Sequence, residues 1–209
     1  NDDMDAVRQL LAAGADAGGK DHFGVTALMR AAERGNDELV ELLLHQGASA
    51  DAQASKGRRK GVSALMLAAE AGHDKVVQLL LAAGAGLELS DAEGRNALLL
   101  AVQGGHAGCI KALLAAGATV DAGDGSGSTA LLLAAGRGDV HVVKLLLAAG
   151  ARVNPDAQSG ATPLLWAVAG GHQEVVKLLL DNKADVRSRF QGGMTALMIA
   201  VQRGDAPMA

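Results

Sequence analysis

Residues 94–118 read GRNALLLAVQGGHAGCIKALLAAGA, residues 127–151 read GSTALLLAAGRGDVHVVKLLLAAGA, and residues 160–184 read GATPLLWAVAGGHQEVVKLLLDNKA. They are one pattern written three times, 33 residues apart. Working outward, the same anchor recurs at Thr26, Ser63, Asn96, Thr129, Thr162 and Thr195, in steps of 37, 33, 33, 33 and 33. A fixed period in this range marks stacked supersecondary units, each covering its neighbour's apolar face, rather than one closed core. Function is then to be sought along a repeating surface rather than in a single catalytic pocket.

Each unit follows the same physical program. The anchor is always Thr, Ser or Asn, side chains that accept a hydrogen bond from the orphan N–H groups of a helix start. An apolar stretch follows, such as Ala64-Leu65-Met66 or Ala130-Leu131-Leu132. In one unit Pro163 stands just after the cap, where a missing N–H costs nothing. Pairs of small residues such as Ala68-Ala69 and Ala134-Ala135 let a neighbouring helix approach closely. Gly35, Gly72, Gly105, Gly138, Gly171 and Gly204 end this first helix. A second helix begins at once, with apolar residues at i, i+3 and i+4 as in Val142, Leu145 and Leu146. It closes at Gly14, Gly47, Gly84, Gly117 and Gly150, where glycine can turn left-handed; Lys183 stands in the corresponding place of the last full unit. Turn formers such as Ser90-Asp91-Ala92-Glu93-Gly94 lead to the next cap. Neither helix is long enough to persist alone in water, so each depends on its neighbours.

The consensus Asp-x-x-Gly-x-Thr-Ala-Leu-x-x-Ala followed by Gly-His-x-x-Val-Val-x-Leu-Leu-Leu-x-x-Gly-Ala resembles the ankyrin repeat over nearly the whole chain, with Thr162-Pro163-Leu164 nearest to that family's Thr-Pro-Leu-His start. The resemblance implies an all-α ankyrin-repeat solenoid of stacked helix-turn-helix units with short turn fingers, forming one curved, elongated domain. The expected division is a half repeat at 1–20, repeats at about 21–57, 58–90, 91–123, 124–156 and 157–189, and a half repeat at 190–209. One departure is systematic: Met29, Met66, Leu99, Leu132, Leu165 and Met198 replace the family's His, exchanging a hydrogen-bonding ring for apolar packing.

Composition agrees with thin stacked layers. The 209 residues are 49% hydrophobic but 1% aromatic, with no tyrosine, so Ala, Leu, Val and Gly must fill the volume that aromatics fill in a single-core domain. Mean hydropathy is +0.19, yet Gly and charged residues interrupt every apolar run before the roughly 18 residues a membrane helix needs. A net charge of −4 gives no general attraction to nucleic acid or anionic membrane. A single cysteine excludes an internal disulfide and favours an intracellular location. The sequence carries no initiating Met and no secretory leader, residues 1–11 match a second helix without its first, and Asp205-Ala206-Pro207 interrupts the last unit. The expectation is a segment of a longer chain, its ends covered by further repeats or another subunit.

Chemical motifs are sparse. Cys109 stands in the column of Val76, Val142 and Val175 and reads as a core residue rather than a reactive thiol. His73, His106 and His172 share one column, so successive rings lie a helix diameter apart, too far to share a metal. Gly123–Thr129 is glycine-rich but lacks the Gly-Lys-Ser/Thr ending of a phosphate loop and reads as a turn. No catalytic constellation and no cofactor site is found.

Three features carry the binding expectation. The insertion that lengthens one period brings Lys56, Arg58, Arg59 and Lys60 together, as a solvated, mobile loop or as a docking point for an anionic partner. The resemblance places contacts at turn tips and first-helix ends. These are His22, Phe23, Val25, Glu33 and Arg34; Arg59, Lys60, Val62 and Glu70; Ala92, Glu93, Arg95 and Gln103; Ser126, Ser128 and Arg137; and Gln158, Ser159, Gln191, Met194, Gln202 and Arg203. The column Arg30, Leu67, Leu100, Leu133, Trp166 and Ile199 edges the groove, as packing stripe or as hydrophobic seat for a peptide. The resemblance thus implies a non-catalytic scaffold or adaptor that binds another protein. The alternatives are a sensor for a nucleotide-like anion using Arg58, Arg59 and Lys60 with Phe23, and a regulatory arm of an enzyme encoded elsewhere.

Overall fold

The structure, a computed structural model, describes residues 2–155, 160–190 and 192–204. Gln158, Ser159, Gln191 and the segment 205–207 lie outside the described residues. Among the described residues twelve α-helices follow one another: α1 (Asp2–Ala12), α2 (Ala27–Arg34), α3 (Asp37–His45), α4 (Ala64–Ala71), α5 (Asp74–Ala82), α6 (Ala97–Gly104), α7 (Ala107–Ala115), α8 (Ala130–Arg137), α9 (Val140–Ala148), α10 (Pro163–Gly170), α11 (Gln173–Asp181) and α12 (Ala196–Arg203). The chain divides into two compact units, Asn1–Ala118 and Thr119–Ala209. In the first, the first helices α2, α4 and α6 pack in sequence, as do the second helices α3, α5 and α7; in the second, α10 packs between α8 and α12, and α9 meets α11.

Local chemistry sets these elements. Every first helix is capped by the anchor side chain, which accepts the backbone N–H three residues on, at 3.0–3.4 Å. Five of the six anchors are themselves buried, from Ser63 at 1% exposure to Thr162 at 8%, so the cap satisfies a donor that water does not reach. Each first helix ends on a glycine with φ between 70° and 77°. The faces so aligned are dry: Leu28, Leu65, Leu98, Leu131 and Leu164, with the Met and Leu residues that follow them, are buried.

Layers are tied together by polar bonds as well as packing. His73 Nε2 bonds the carbonyl of Glu33 at 3.1 Å, His106 Nε2 that of Glu70 at 3.0 Å, and His172 Nε2 that of Gly136 at 2.9 Å. Each ring starts a second helix yet makes no side-chain cap bond there. It reaches instead to the preceding layer, where the last carbonyls of a first helix lack intrahelical partners. Arg203 does the same for the carbonyl of Ala169 at 2.7 Å. On the opposite turns, Asp51 accepts Gly86 N–H at 2.7 Å, Asp121 accepts Arg152 N–H at 2.9 Å, and Asn154 accepts Asp185 N–H at 2.8 Å.

Cys109 is fully buried, and its thiol donates to Asp74 Oδ1 at 3.0 Å. Burial first, and the Asp74 carboxylate second, push its pKa up to about 12, which leaves the sulfur protonated. At the terminal helices the apolar faces are open: Leu10 of α1 is 61% exposed, and Leu197, Met198 and Val201 of α12 are 56%, 51% and 64% exposed.

Lys183 is the single described non-glycine residue with positive φ, at 64°. Its Cβ crowds the following carbonyl, a cost of about 1–2 kcal/mol. Lys183→Gly is expected to raise stability by about 1 kcal/mol, read from a urea midpoint; an unchanged or lower midpoint would contradict a strained end to α11.

Candidate partner-binding surface

Three of the fingers between second and first helices are each built on one aspartate. Asp21 Oδ1 accepts the N–H of Phe23 at 2.8 Å and of Val25 at 2.9 Å; Asp91 Oδ1 accepts Glu93 at 3.0 Å and Arg95 at 2.8 Å; Asp124 Oδ1 accepts Ser126 and Ser128, both at 2.9 Å. The Val25 N–H above all, and that of Phe23, hold the Asp21 carboxyl below its ordinary range. An isolated antiparallel bridge closes four fingers, at Lys20 and Thr26, Gln53 and Ser63, Gly123 and Thr129, and Arg189 and Thr195. Asp124 and its partners thus make the glycine-rich stretch 123–129 a stapled turn.

The staple turns some expected contact residues outward and others inward. His22 and Phe23 are exposed, their rings edge-on with centroids 5.4 Å apart. Arg34, Arg58, Lys60, Glu70, Glu93, Arg137, Gln202 and Arg203 are exposed as well. Val25 is not: it is buried at 7% exposure directly before its buried cap Thr26, and Val62 is buried at 8% before Ser63. Arg95 belongs to its own finger, its guanidinium bonding Asp91 Oδ2 at 2.8 Å through Nε and lying 2.7 Å away through Nη2. Gln103 accepts from Arg95 Nη1 at 3.5 Å.

The lengthened loop differs from the freely mobile segment expected. Its cations are exposed apart from Arg59, but its backbone is held on both sides. Ser55 and Lys56 N–H both donate to the carbonyl of Phe23, at 2.8 and 3.2 Å, and Lys60 accepts the N–H of Ala92 at 3.1 Å. The Gln53 amide donates to the carbonyls of Gly61 and Ser90. Gly57 to Arg59 form a single 3₁₀ turn. Added residues that bond to both neighbours constrain a loop that length alone would leave free.

Arg59 is spent on Glu33, which also lies 3.8 Å from Arg30. The Arg59 hydrogen bond first, against desolvation, holds the Glu33 carboxyl below its ordinary range. A folded-state value below the unfolded one contributes stability above the unfolded value and loses it as pH falls through the folded one. Glu33→Gln is therefore expected to flatten the loss of stability on acidification below about pH 4.5; an acid limb of equal steepness in the variant would contradict the pairing. The loop backbone passes close to Phe23, since a Cβ at Gly57 would lie 3.5 Å from the Phe23 ring.

The expected groove column divides by position. Leu67 and Leu100 are buried packing residues at 4% and 2% exposure, whereas Trp166 is 40% exposed. In the second unit Trp166 lies over Gly136 of the preceding layer, where a Cβ would come within 2.5 Å of Cε3. Beside it opens a cleft of about 310 Å³ whose walls include Phe190 and Ile199.

Two kinds of residue escaped sequence reasoning. The stapling finger aspartates read as ordinary turn formers, although their recurrence five residues before Thr26, Asn96 and Thr129 was available as a signal. The bonds from His73, His106 and His172 to the preceding layer carried no such signal.

Paired short helices, capped at every start, closed by left-handed glycines and joined by stapled fingers, define an all-α repeat solenoid, and no described residue belongs to a regular strand. The family model described as ankyrin repeats in three copies matches residues 1–91, 65–157 and 153–209, and the chain belongs to the ankyrin repeat family. No curated protein matches it. Ankyrin repeats generally serve as protein–protein interaction modules and are typically non-enzymatic. Among the described residues no helix is long and apolar enough to cross a membrane.

Proposed function

We propose that the chain is a scaffold or adaptor segment that binds a partner protein through its fingers and the ends of its first helices. One observation carries this reading. The sequence has three aromatic residues in all, two Phe and one Trp, and every one of them is exposed: Phe23 at 52%, Trp166 at 40% and Phe190 at 39%. Phe23 and Phe190 stand on fingers and Trp166 on a first helix, while the core is filled by Leu, Val, Ala and Met. Large rigid side chains left in water, where they stabilise the free protein least, suit binding anchors.

The test compares two variants of the full chain against a partner isolated by affinity from the source cells. Phe23→Ala with Trp166→Ala and Phe190→Ala is expected to weaken binding by at least tenfold. Lys111→Ala with Lys177→Ala, on exposed second-helix positions, is expected to leave it unchanged. The reverse pattern would overturn the reading.

A second reading rests on the loop backbone lying against Phe23 at Lys56 and Gly57, in a loop whose Lys56, Arg58 and Lys60 are exposed and form no ion pair among the described residues. An aromatic face beside such cations suits a nucleotide or short oligonucleotide. Thermal stabilisation by an oligonucleotide, lost in 0.5 M salt (a concentration of that order screens surface charge beyond about 4–5 Å) and absent in Phe23→Ala, would favour it over the first.

A further inference from the structure

The cleft beside Trp166 is made by departures from the repeat's own pattern. Gly136 stands in the column that holds Glu33, Glu70, Gln103 and Gln202 in other units. Trp166 stands in the column of Leu67, Leu100 and Leu133. Phe190, five residues before its cap, occupies the position of the finger aspartates Asp21, Asp91 and Asp124. These exceptions come from three different layers of sequence, yet all three residues line one cleft. Ala169 and Gly170, small where Glu33-Arg34 and Gln202-Arg203 are long, complete its floor with Ile199. Removing one polar side chain opens space over a first helix; replacing a stapling carboxylate by a phenyl ring walls that space.

The charge around the cleft has one sign on the first helices. Among the described residues α8, α10 and α12 carry Arg137 and Arg203 and no carboxylate. Arg137 follows Gly136 in the chain, Arg203 bonds the carbonyl of the floor residue Ala169, and Arg189 precedes Phe190. The corresponding helices of the first unit differ, since α2 and α4 carry Glu33 and Glu70.

We propose that this cleft is the specificity pocket for an acidic segment of a partner protein, which inserts one aromatic or leucine-sized side chain between Trp166 and Phe190 and sets flanking carboxylates against Arg137, Arg189 and Arg203. The inference rests on the protein-binding reading above and names the chemistry of the partner. An apolar anchor gives the contact its affinity, and the cationic surround rejects basic sequences and speeds encounter with acidic ones.

The probe is a displayed library of random 16-residue peptides selected on the full chain, followed by affinity measurement of the enriched peptides. Peptides with a Phe, Trp or Leu flanked by Asp or Glu are expected. Each cleft exception is then returned to the residue its column holds elsewhere, as Trp166→Leu, Phe190→Asp and, because a Cβ at Gly136 would meet the Trp166 ring, Gly136→Gln only in the Trp166→Leu background. Each variant is expected to lower affinity by at least tenfold while the urea midpoint moves little, and 0.5 M salt is expected to weaken binding of the wild type. Enriched peptides that are basic, or that bind all three variants as tightly as the wild type, would overturn the proposal. Peptides that ignore these changes but lose binding with Phe23→Ala would overturn it while leaving the broader reading intact. No enrichment at all would count against both.

Discussion

Gly138→Ala is expected to destabilise the second unit by about 3 kcal/mol. Two costs add at this position. The backbone is left-handed, with φ at 73°, where a Cβ costs about 1–2 kcal/mol. The same Cβ would overlap the His172 ring at Nδ1 and again at Cγ, close to the ring's attachment, so rotation of the outer ring atoms gives no relief. Displacing the imidazole also breaks its bond to the carbonyl of Gly136, worth about 1 kcal/mol. Gly150→Ala is the control: φ is 87° there, but no atom lies within 4 Å of the new Cβ. It is expected to show the backbone cost alone. Urea titration of both variants separates the terms, and His172→Ala in the Gly138→Ala background should recover part of the loss. Equal midpoints for the two alanine variants would show that the histidine does not lock the layers.

The second large effect is expected at Asp91. Its side chain is 1% exposed, and it holds two backbone N–H groups and the Arg95 guanidinium. Asp91→Ala orphans those donors together and is expected to cost about 3 kcal/mol, within the range for removing one partner of a buried charged pair. Asp91→Asn keeps an oxygen for the two N–H groups and should cost about half as much. Arg95→Ala removes a side chain that is itself 30% exposed and leaves Asp91 its two backbone N–H donors, so it should cost less again, about 1 kcal/mol. If Asp91→Ala and Arg95→Ala cost the same, the carboxylate acts only as an ion-pair partner and the finger does not depend on its staple.

These effects mark where sequence reading stopped. The caps, the closing glycines and the 33-residue period were legible because each is a local signal: Thr129 accepting from Leu132 needs only the intervening residues. The strained end at Lys183 was legible by comparison with its column. What the histidines do was not. His172 meets Gly136 across 36 residues, a contact fixed by the stacking distance between layers and by no feature near His172 itself. The buried sides of Val25 and Val62, and the anchoring of the insertion to Phe23 and Ala92, depend in the same way on the neighbouring layer. The binding surface was legible in part. Position-matching found Trp166 but not the cleft, because Gly136 and Phe190 are informative only as exceptions, and only together. Comparing columns between adjacent repeats, rather than reading each repeat alone, would have paired them.

The claim that a polypeptide partner is held by the fingers and first helices meets its most direct test in site-specific cross-linking. A photoreactive residue is placed singly at Phe23, Trp166, Lys111 or Lys177 of the full chain in its source cells. The account predicts cross-links to one partner polypeptide from the first two positions and none from the last two. Cross-links to that partner from Lys111 and Lys177, with Phe23 and Trp166 silent, would contradict it.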